Sequence, residues 1–447
     1  MPELMKELKT KDLSVWRVIG AQKLRADIIY CLSQFVISNR TEKHLYLFHT
    51  MTLQCYQTEL TAVKERLTSE EIAQDPILKQ LMEDWFFVRE DYDELQMYES
   101  TYKLLRLMDY KEGFHRYVIY PTSKCNARCV YCVQENMEKK SMRQETAMQV
   151  ASFIVESHRK NKSVRLTWWG GEPLLEEKKI DCITEYLRDN NVRFSSNMIT
   201  NGSLINDRII RKMSDQWNMK LVQISFDSAE QEYIRRKQYY TYHNEYFTIM
   251  DRVNELSQTK VNVMIRCNVD MGNIPYAEEF IGDLKKAIKD PSKVSLYFSP
   301  LHQSRATDGE RVWKNVFRLD QIARREGFIN RYNTLPDSFR VYYCESDGTG
   351  EVVIDTDGRL FGCEVYPEGT SFGDVWNGIV DTEKWNSHNV ICKIQDKCKK
   401  CPYLPLCTPF SACPHVSPDC KAIPKFEVDM GFENLIEQYD SYVERNS

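Results

Sequence analysis

From His115 onward the chain alternates strand with helix, and this alternation restricts the fold more than any other feature. Six segments, RYVIY, SVRLTWW, RFSSNMIT, KLVQISF, KVNVMIRCNV and KVSLYF, are rich in β-branched and aromatic residues. Most stretches between them read as helices. The clearest is the stripe Ala147, Val150, Ala151, Ile154, Val155 and His158, which recurs at helical spacing. Six strand–helix units predict an α/β fold with a parallel sheet, either open or curled into an incomplete barrel. In such sheets the chemistry collects at the C-terminal ends of the strands. The unusual residues fall there: Cys125, Cys129 and Cys132 after the first strand, Gly170-Gly171-Glu172-Pro173 after the second, Thr200-Asn201-Gly202 after the third, and Ser225 with Asp227 at the fourth.

On either side of this alternation the composition changes. Residues 1–112 predict a small α+β module: HLYLFH and LQCYQT form two short strands around a turn, and Asp75-Pro76 opens a helix as N-cap and first helical residue. Residues 113–303 hold the strand–helix units, 304–341 a charged helical linker, and 342–447 an irregular block rich in Cys, Gly and Pro. A block so poor in core-forming pattern usually needs metal to fold. The 447 residues correspond to about three domains at ~150 residues each. With 42% hydrophobic and 28% charged residues, a disordered, collagen-like or coiled-coil chain is excluded. A net charge of −5 argues against a nucleic-acid partner. No apolar run approaches the ~20 residues that span a bilayer, and the N-terminus has no secretory h-region. A cytoplasmic protein without a membrane partner is expected.

Fifteen cysteines are many for such a chain, and eight of them lie between Cys344 and Cys420. In a reducing compartment clustered cysteines bind metal or do redox chemistry more often than they form disulfides. The isolated Cys31, Cys55, Cys182 and Cys267 read as small buried hydrophobes. The triplet has the spacing C-x3-C-x2-C. Three thiolates on one loop can wrap one face of a cubane iron–sulfur cluster and leave one iron open. The bland alternative is a zinc site lacking its fourth ligand, although zinc sites favour two C-x2-C pairs.

The triplet on the first strand–helix loop, with the aromatic Tyr131 before its last cysteine, resembles that of the radical S-adenosylmethionine (SAM) enzymes. The likeness extends over about residues 115–420. It implies a partial (β/α)6 TIM-like barrel and a [4Fe–4S] cluster whose open iron binds SAM. SAM is then cleaved to a 5′-deoxyadenosyl radical that abstracts hydrogen. On the same resemblance Gly170, Gly171, Glu172 and Pro173 form the loop receiving the methionine amino group, with Glu172 as acceptor. Ser225 and Asp227 contact the ribose, Arg266 pairs with the SAM carboxylate, and Thr200 lines the cavity. Thr200-Asn201-Gly202 also reads as a plain turn.

The C-terminal cysteines resemble the SPASM extension, an irregular iron–sulfur domain with two auxiliary [4Fe–4S] clusters, which makes three clusters in all. Carried over by position, Cys344, Cys363 and Cys413 serve the first auxiliary cluster, completed by Cys392 or left with an open iron. Cys398, Cys401, Cys407 and Cys420 serve the second. The sequence departs from the family pattern in placing five residues between Cys407 and Cys413. A zinc-ribbon pair is the alternative. Glu364, directly after Cys363, stands where related enzymes place a general base; it also reads as a solvated loop acid.

The resemblance implies a maturase of ribosomally made peptides, supplied with electrons by flavodoxin or ferredoxin. Residues 1–112 then match a winged-helix-like leader-recognition module to which the leader adds as a strand. Tyr239, Tyr240, Tyr242 and Tyr246 suit a polypeptide groove. The expected reaction is an intramolecular crosslink of the precursor peptide, a thioether by preference, with a C–C or C–O bond as options. Formylglycine formation and peptide epimerisation are alternative enzyme readings, and a non-catalytic iron–sulfur or zinc protein is the alternative of another class.

Overall fold

The strands HLYLFH and LQCYQT form as expected, at Leu45–His49 and Cys55–Thr58, in antiparallel register with Leu47 opposite Tyr56. The buried His49 shapes the turn between them. Its Nδ1 accepts from the amides of Met51 and Thr52 at 3.2 Å each, and burial pushes its pKa down to about 3, so the ring is a neutral acceptor. The computed structural model describes residues 5–42, 44–58, 63–109, 113–158, 162–241, 245–301, 309–330, 335–339, 341–342, 348, 350–366, 369–387, 394–407 and 423–446. Its internal contacts divide the chain into two units. One joins Met1–Tyr110 to Thr334–Cys344 and Val390–Ser447; the other joins Lys111–Asn333 to Glu345–Asn389.

The first unit holds strands β1 (Met5–Lys9), β2 (Ile29–Leu32), β3 (Val36–Arg40), β4 (Leu45–His49), β5 (Cys55–Thr58), β6 (Arg66–Thr68) and β7 (Phe87–Arg89). They make an antiparallel sheet of order β1-β5-β4-β3 and a smaller one of order β6-β2-β7. Its helices are α1 (Leu13–Ile19), α2 (Ser69–Gln74), α3 (Pro76–Glu83) and α4 (Glu94–Asp109). Asp75 caps α3 by accepting from the amides of Ile77 and Leu78, with Pro76 at the first helical position, as its sequence predicts. The C-terminal segments complete this core. Tyr46 and Phe48 of β4 pack with Leu335, Leu406 and with Val428, Phe432 and Ile436 of the helix Ile423–Asn446.

The second unit contains all six predicted strands: β8 (Arg116–Thr122), β9 (Val164–Gly170), β10 (Phe194–Thr200), β11 (Met219–Phe226), β12 (Asn262–Val269) and β13 (Val294–Pro300). The intervening helices are α5 (Gln144–Ser157), α6 (Glu177–Asp189), α7 (Asp207–Arg211), α8 (Glu230–Lys237), α9 (Glu245–Ser257) and α10 (Ala277–Ala287), and α11 (Gly309–Arg325) follows β13. The strands are parallel, and their spatial order follows chain order without reversal. Right-handed crossovers then put every helix on the same face, so the sheet curls as a partial (β/α)6 barrel rather than taking helices on both sides. The strands record this in their burial. On β9, Val164, Leu166 and Trp168 are fully covered on the helix side, while Thr167 and Trp169 on the inner face are half-buried. In α5 the stripe Ala147, Val150, Ala151 and Ile154 is the fully buried one.

The first part of the cysteine-rich block extends this sheet. β14 (Glu351–Ile354) runs parallel beside β8 with Glu351 opposite Arg116, and β15 (Arg359–Phe361), β16 (Gly373–Asp374) and β17 (Gly378–Ile379) continue it antiparallel. No helix among the described residues is long and apolar enough to cross a membrane. Of the isolated cysteines, Cys55 and Cys267 are buried, and Cys31 and Cys182 are half-buried.

Candidate active site

The loop carrying Cys125, Cys129 and Cys132 is held by backbone hydrogen bonds to the end of α8. The Arg128 amide donates to the carbonyls of Lys237 and Gln238 at 3.1 and 3.0 Å, the Val130 amide to Arg236 O at 3.0 Å, and the Tyr240 amide to Asn126 O at 3.1 Å. Gln238 makes this possible by turning left-handed at φ 50°, a conformation that exposes the last helical carbonyls to a partner. On its other side the loop is fastened by Asn201, whose Nδ2 donates to Asn126 Oδ1 at 2.8 Å and lies 3.8 Å from Cys125 Sγ. Cys125 and Cys129 are half-buried and Cys132 is exposed. Burial pushes the Cys125 thiol up to about 11 and raises that of Cys129. Among the described residues no three His, Cys, Asp or Glu side chains gather within reach of a single metal ion.

Gly170 and Gly171 are glycines because the backbone before Cys125 passes against them. The Gly171 amide donates to Thr122 O at 2.9 Å and the Glu172 amide to Lys124 O at 2.8 Å. A Cβ on Gly171 would lie 2.0 Å from Lys124 O, and one on Gly170, at φ 121°, 2.4 Å from Thr122 O. Neither space admits a methyl group. Glu172 is fully buried. Its carboxylate accepts from the Leu174 amide (3.1 Å), Thr200 Oγ1 (2.8 Å) and the Asn201 amide (2.9 Å). Burial raises its pKa while those donors pull it back. Glu172 therefore ties the ends of β9 and β10 together, and Pro173 is buried behind it at the start of a short 3-10 turn.

At the ends of β11 and β12 a buried polar group faces the cysteine loop. Lys237, 2% exposed, donates from Nζ to Ser225 Oγ at 2.7 Å and stands 3.4 Å from Asp227 Oδ2. Asp227 is fully buried, and neither of its oxygens has a well-formed hydrogen bond among the described residues. Burial opposes the charge on Lys237, but Asp227 together with the neighbouring Tyr131, Cys129 and Tyr233 holds that ammonium well above its usual pKa. Tyr131 lies beside them, with its OH accepting from Asn268 Nδ2 at 3.2 Å and its ring centre 5.9 Å from Lys237 Nζ. Arg266 is the neighbour of Ser225 across the β11–β12 register. Its Nε is buried with no hydrogen-bond partner among the described residues.

Glu364 follows β15 and the half-buried Cys363, against an aromatic wall. Tyr120 OH donates to the Glu364 carbonyl at 2.5 Å, Tyr366 stacks on Phe361 at 3.8 Å, and Trp169 meets Tyr120 edge-on. Burial pushes the Glu364 carboxyl up to about 7 against the pull of Arg266. Glu351 is also pushed up to about 7, by burial and by Glu364, with Arg116 and Arg165 opposing. In the first unit, Cys398, Cys401 and Cys407 sit on successive turns, linked by the Cys401 amide to Cys398 O at 3.0 Å and the Leu404 amide to Cys401 O at 3.1 Å. Cys398 and Cys401 pack against the core cluster that includes Val15, Phe35 and Met97. Cys344, Cys392, Cys413, Cys420 and Tyr242 lie outside the described residues.

The structure thus brings together Tyr131, Ser225 and Asp227 beside the triplet, and Glu172 with Thr200. It also places Asn201, of the strand-end Thr200-Asn201-Gly202, against the cysteine loop, and adds Lys237, Asn126 and Asn268, which sequence reasoning does not single out as site residues. For Lys237 the only signal is the run Glu230–Lys237, which reads as a helix ending in ordinary basic residues.

Residues 119–286 match the Radical SAM superfamily. An uncharacterized protein of Methanocaldococcus jannaschii is 29% identical over 175 residues, and the chain spans 58% of its length and matches it over 38% of its own. Among solved structures, anSMEcpe with bound AdoMet and the Cp18Cys peptide is 18% identical, covers 73% of this chain and 99% of its own, and has a TM-score of 0.58. Streptococcus suis SuiB bound to S-adenosylmethionine is 12% identical, with 85% and 94% covered and a TM-score of 0.50. These likenesses show a shared fold.

A radical SAM domain implies a [4Fe–4S] cluster and SAM, and the residues present fit both. Three soft thiols share one loop, the glycine pair lets backbone close on it, and the carboxylate of Asp227, ion-paired with Lys237 alone, and Nε of Arg266 have no hydrogen-bond partner among the described residues. The chain therefore carries a radical SAM domain, the domain of an enzyme.

Proposed function

We propose that the protein is a radical SAM maturase of a ribosomally made precursor peptide, forming an intramolecular crosslink, by preference a thioether. The observation that carries this reading is the inner face of the barrel sheet. Thr167, Trp169, Asn197, Ile199, Ser225 and Arg266 remain half-exposed along it, while the opposite face is sealed by helices. A polar, solvent-reached concavity ending at the cysteine loop suits an extended polypeptide. The anSMEcpe fold, seen with AdoMet and a peptide, supports the same substrate class.

When bound, the cluster and SAM supply a 5′-deoxyadenosyl radical that removes a hydrogen atom from carbon. The chain's own groups do the rest. Cys125, Cys129 and Cys132 hold the cluster. Arg266, Ser225, Asp227, Tyr131 and the Gly170–Pro173 loop, braced by Glu172, position SAM. Glu364 accepts a substrate proton at its carboxylate. Cys344, Cys363 and Cys413, with Cys392 or an open iron at the fourth position, would hold one auxiliary cluster, and Cys398, Cys401, Cys407 and Cys420 a second; these clusters would supply an acceptor for the remaining electron. In residues 1–112 the strands β1 and β3 are the edges of their sheet among the described residues and would accept a leader as an added strand. A cytoplasmic flavodoxin or ferredoxin is the electron source.

The test is the mass of a short peptide encoded beside this gene, after anaerobic incubation with the protein, SAM and reductant. Loss of two hydrogens per event is expected, and fragmentation locates the bond. Unchanged mass with 5′-deoxyadenosine formed would replace the crosslink by epimerisation. SAM left intact under strong reductant would end the enzyme reading. Changing Cys125, Cys129 and Cys132 to Ala should abolish 5′-deoxyadenosine.

A further inference from the structure

We propose that Lys237 is a positioning residue that sets how readily the cluster on Cys125, Cys129 and Cys132 is reduced, by holding a buried positive charge against that loop. The inference rests on the radical SAM domain and is independent of the peptide reading. Its basis is where the ammonium is held. Lys237 is buried, its Nζ is fixed by Ser225 Oγ at 2.7 Å, and the ring of Tyr131, the residue just before Cys132, lies 5.9 Å away. Its backbone is part of the loop's seat, because the carbonyls of Arg236, Lys237 and Gln238 accept the Val130 and Arg128 amides. The charge and the thiols therefore keep a fixed separation.

Reduction adds one electron from a one-electron donor and breaks no bond. A fixed cation in a water-poor site favours the more negative state, so it raises the potential. Asp227, 3.4 Å from Nζ, and Glu172 oppose it. Tyr131 and Tyr233, with Tyr239 hydrogen-bonded to Tyr233, complete the surroundings.

The experiment is a dithionite-poised redox titration of the reconstituted full-length protein, read by EPR at the signal that changes on adding SAM. Lys237→Met should shift the midpoint to lower potential, and Lys237→Arg should restore it toward wild type. A Lys237→Met midpoint equal to wild type overturns the proposal. If Lys237→Met fails to take up iron, Lys237→Gln keeps a hydrogen-bond donor for Ser225 Oγ without the charge. Its midpoint should likewise fall, and equality with wild type again overturns the proposal. A wild-type protein with no SAM-responsive cluster signal would remove the radical SAM assignment and this inference together, whereas an unmodified peptide would leave the inference intact.

Discussion

Gly171 stands where one added carbon has nowhere to go. A methyl group there would meet the Lys124 carbonyl oxygen at 2.0 Å and the Ser123 carbonyl carbon at 2.8 Å, both backbone atoms that cannot swing aside. Gly171→Ala is expected to cost about 1–3 kcal/mol and to displace the segment leading into Cys125, so iron per chain should fall along with the thermal midpoint. Glu351 shows a second residue-scale effect, this one in pH. Its folded pKa is raised from 4.5 to about 7, so between those values the folded state holds more protons than the unfolded. Stability therefore falls as pH rises through that window. Glu351→Gln should match wild type near pH 5 and exceed it by roughly 1–3 kcal/mol at pH 8, measured by urea denaturation at the two pH values.

At the scale of elements, the end of α8 carries more than its eight residues suggest. Arg236, 4% exposed in its side chain, makes two bonds to Asp270 at 2.9 and 2.7 Å, and Asp270 also accepts from the Gly272 amide at 2.7 Å. This clamp joins α8 to the end of β12 and so fixes the carbonyls on which the cysteine loop rests. Asp270→Asn leaves the guanidinium partly unpaired and should destabilise the protein by about 2–4 kcal/mol, with iron retention lowered in the same variant. The run EYIRRK is visible in the sequence as a helix with a basic C-terminus. That its last lysine is buried against Ser225 and Asp227 is not, because helical periodicity gives a residue's face and not the depth of what packs on it.

On the scale of the whole molecule, residues 390–447 belong to the core of the first unit. Leu404, Leu406, Val428, Phe432 and Ile436 pack with residues of Met1–Tyr110, whereas β14 to β17 belong to the barrel sheet. A chain ended after residue 389 should keep hydrogen-exchange protection in β8–β13 and lose it in β3–β5. Equal protection of β3–β5 in the shortened and full chains would show that the C-terminal packing contributes little.

The sequence by itself determined the six strands and their parallel direction, the α3 cap, and the placing of the unusual residues at strand ends. Each of these follows from local periodicity, cap chemistry or covalent spacing, which a short window of chain contains. It also held GGEP as a close-approach loop, although the partner, the backbone at Thr122–Lys124, lies nearly fifty residues earlier in the chain. Only the tertiary structure decided that the strand order runs without reversal, that Glu172 accepts from Thr200 and Asn201, that the Glu364 carboxyl is buried within the electrostatic reach of Arg266 and Glu351, and that Lys237 is buried at the seat of the cysteine loop. These are pairings between distant segments, and a buried charge is fixed by what surrounds it on all sides, which no neighbouring residue in the chain encodes.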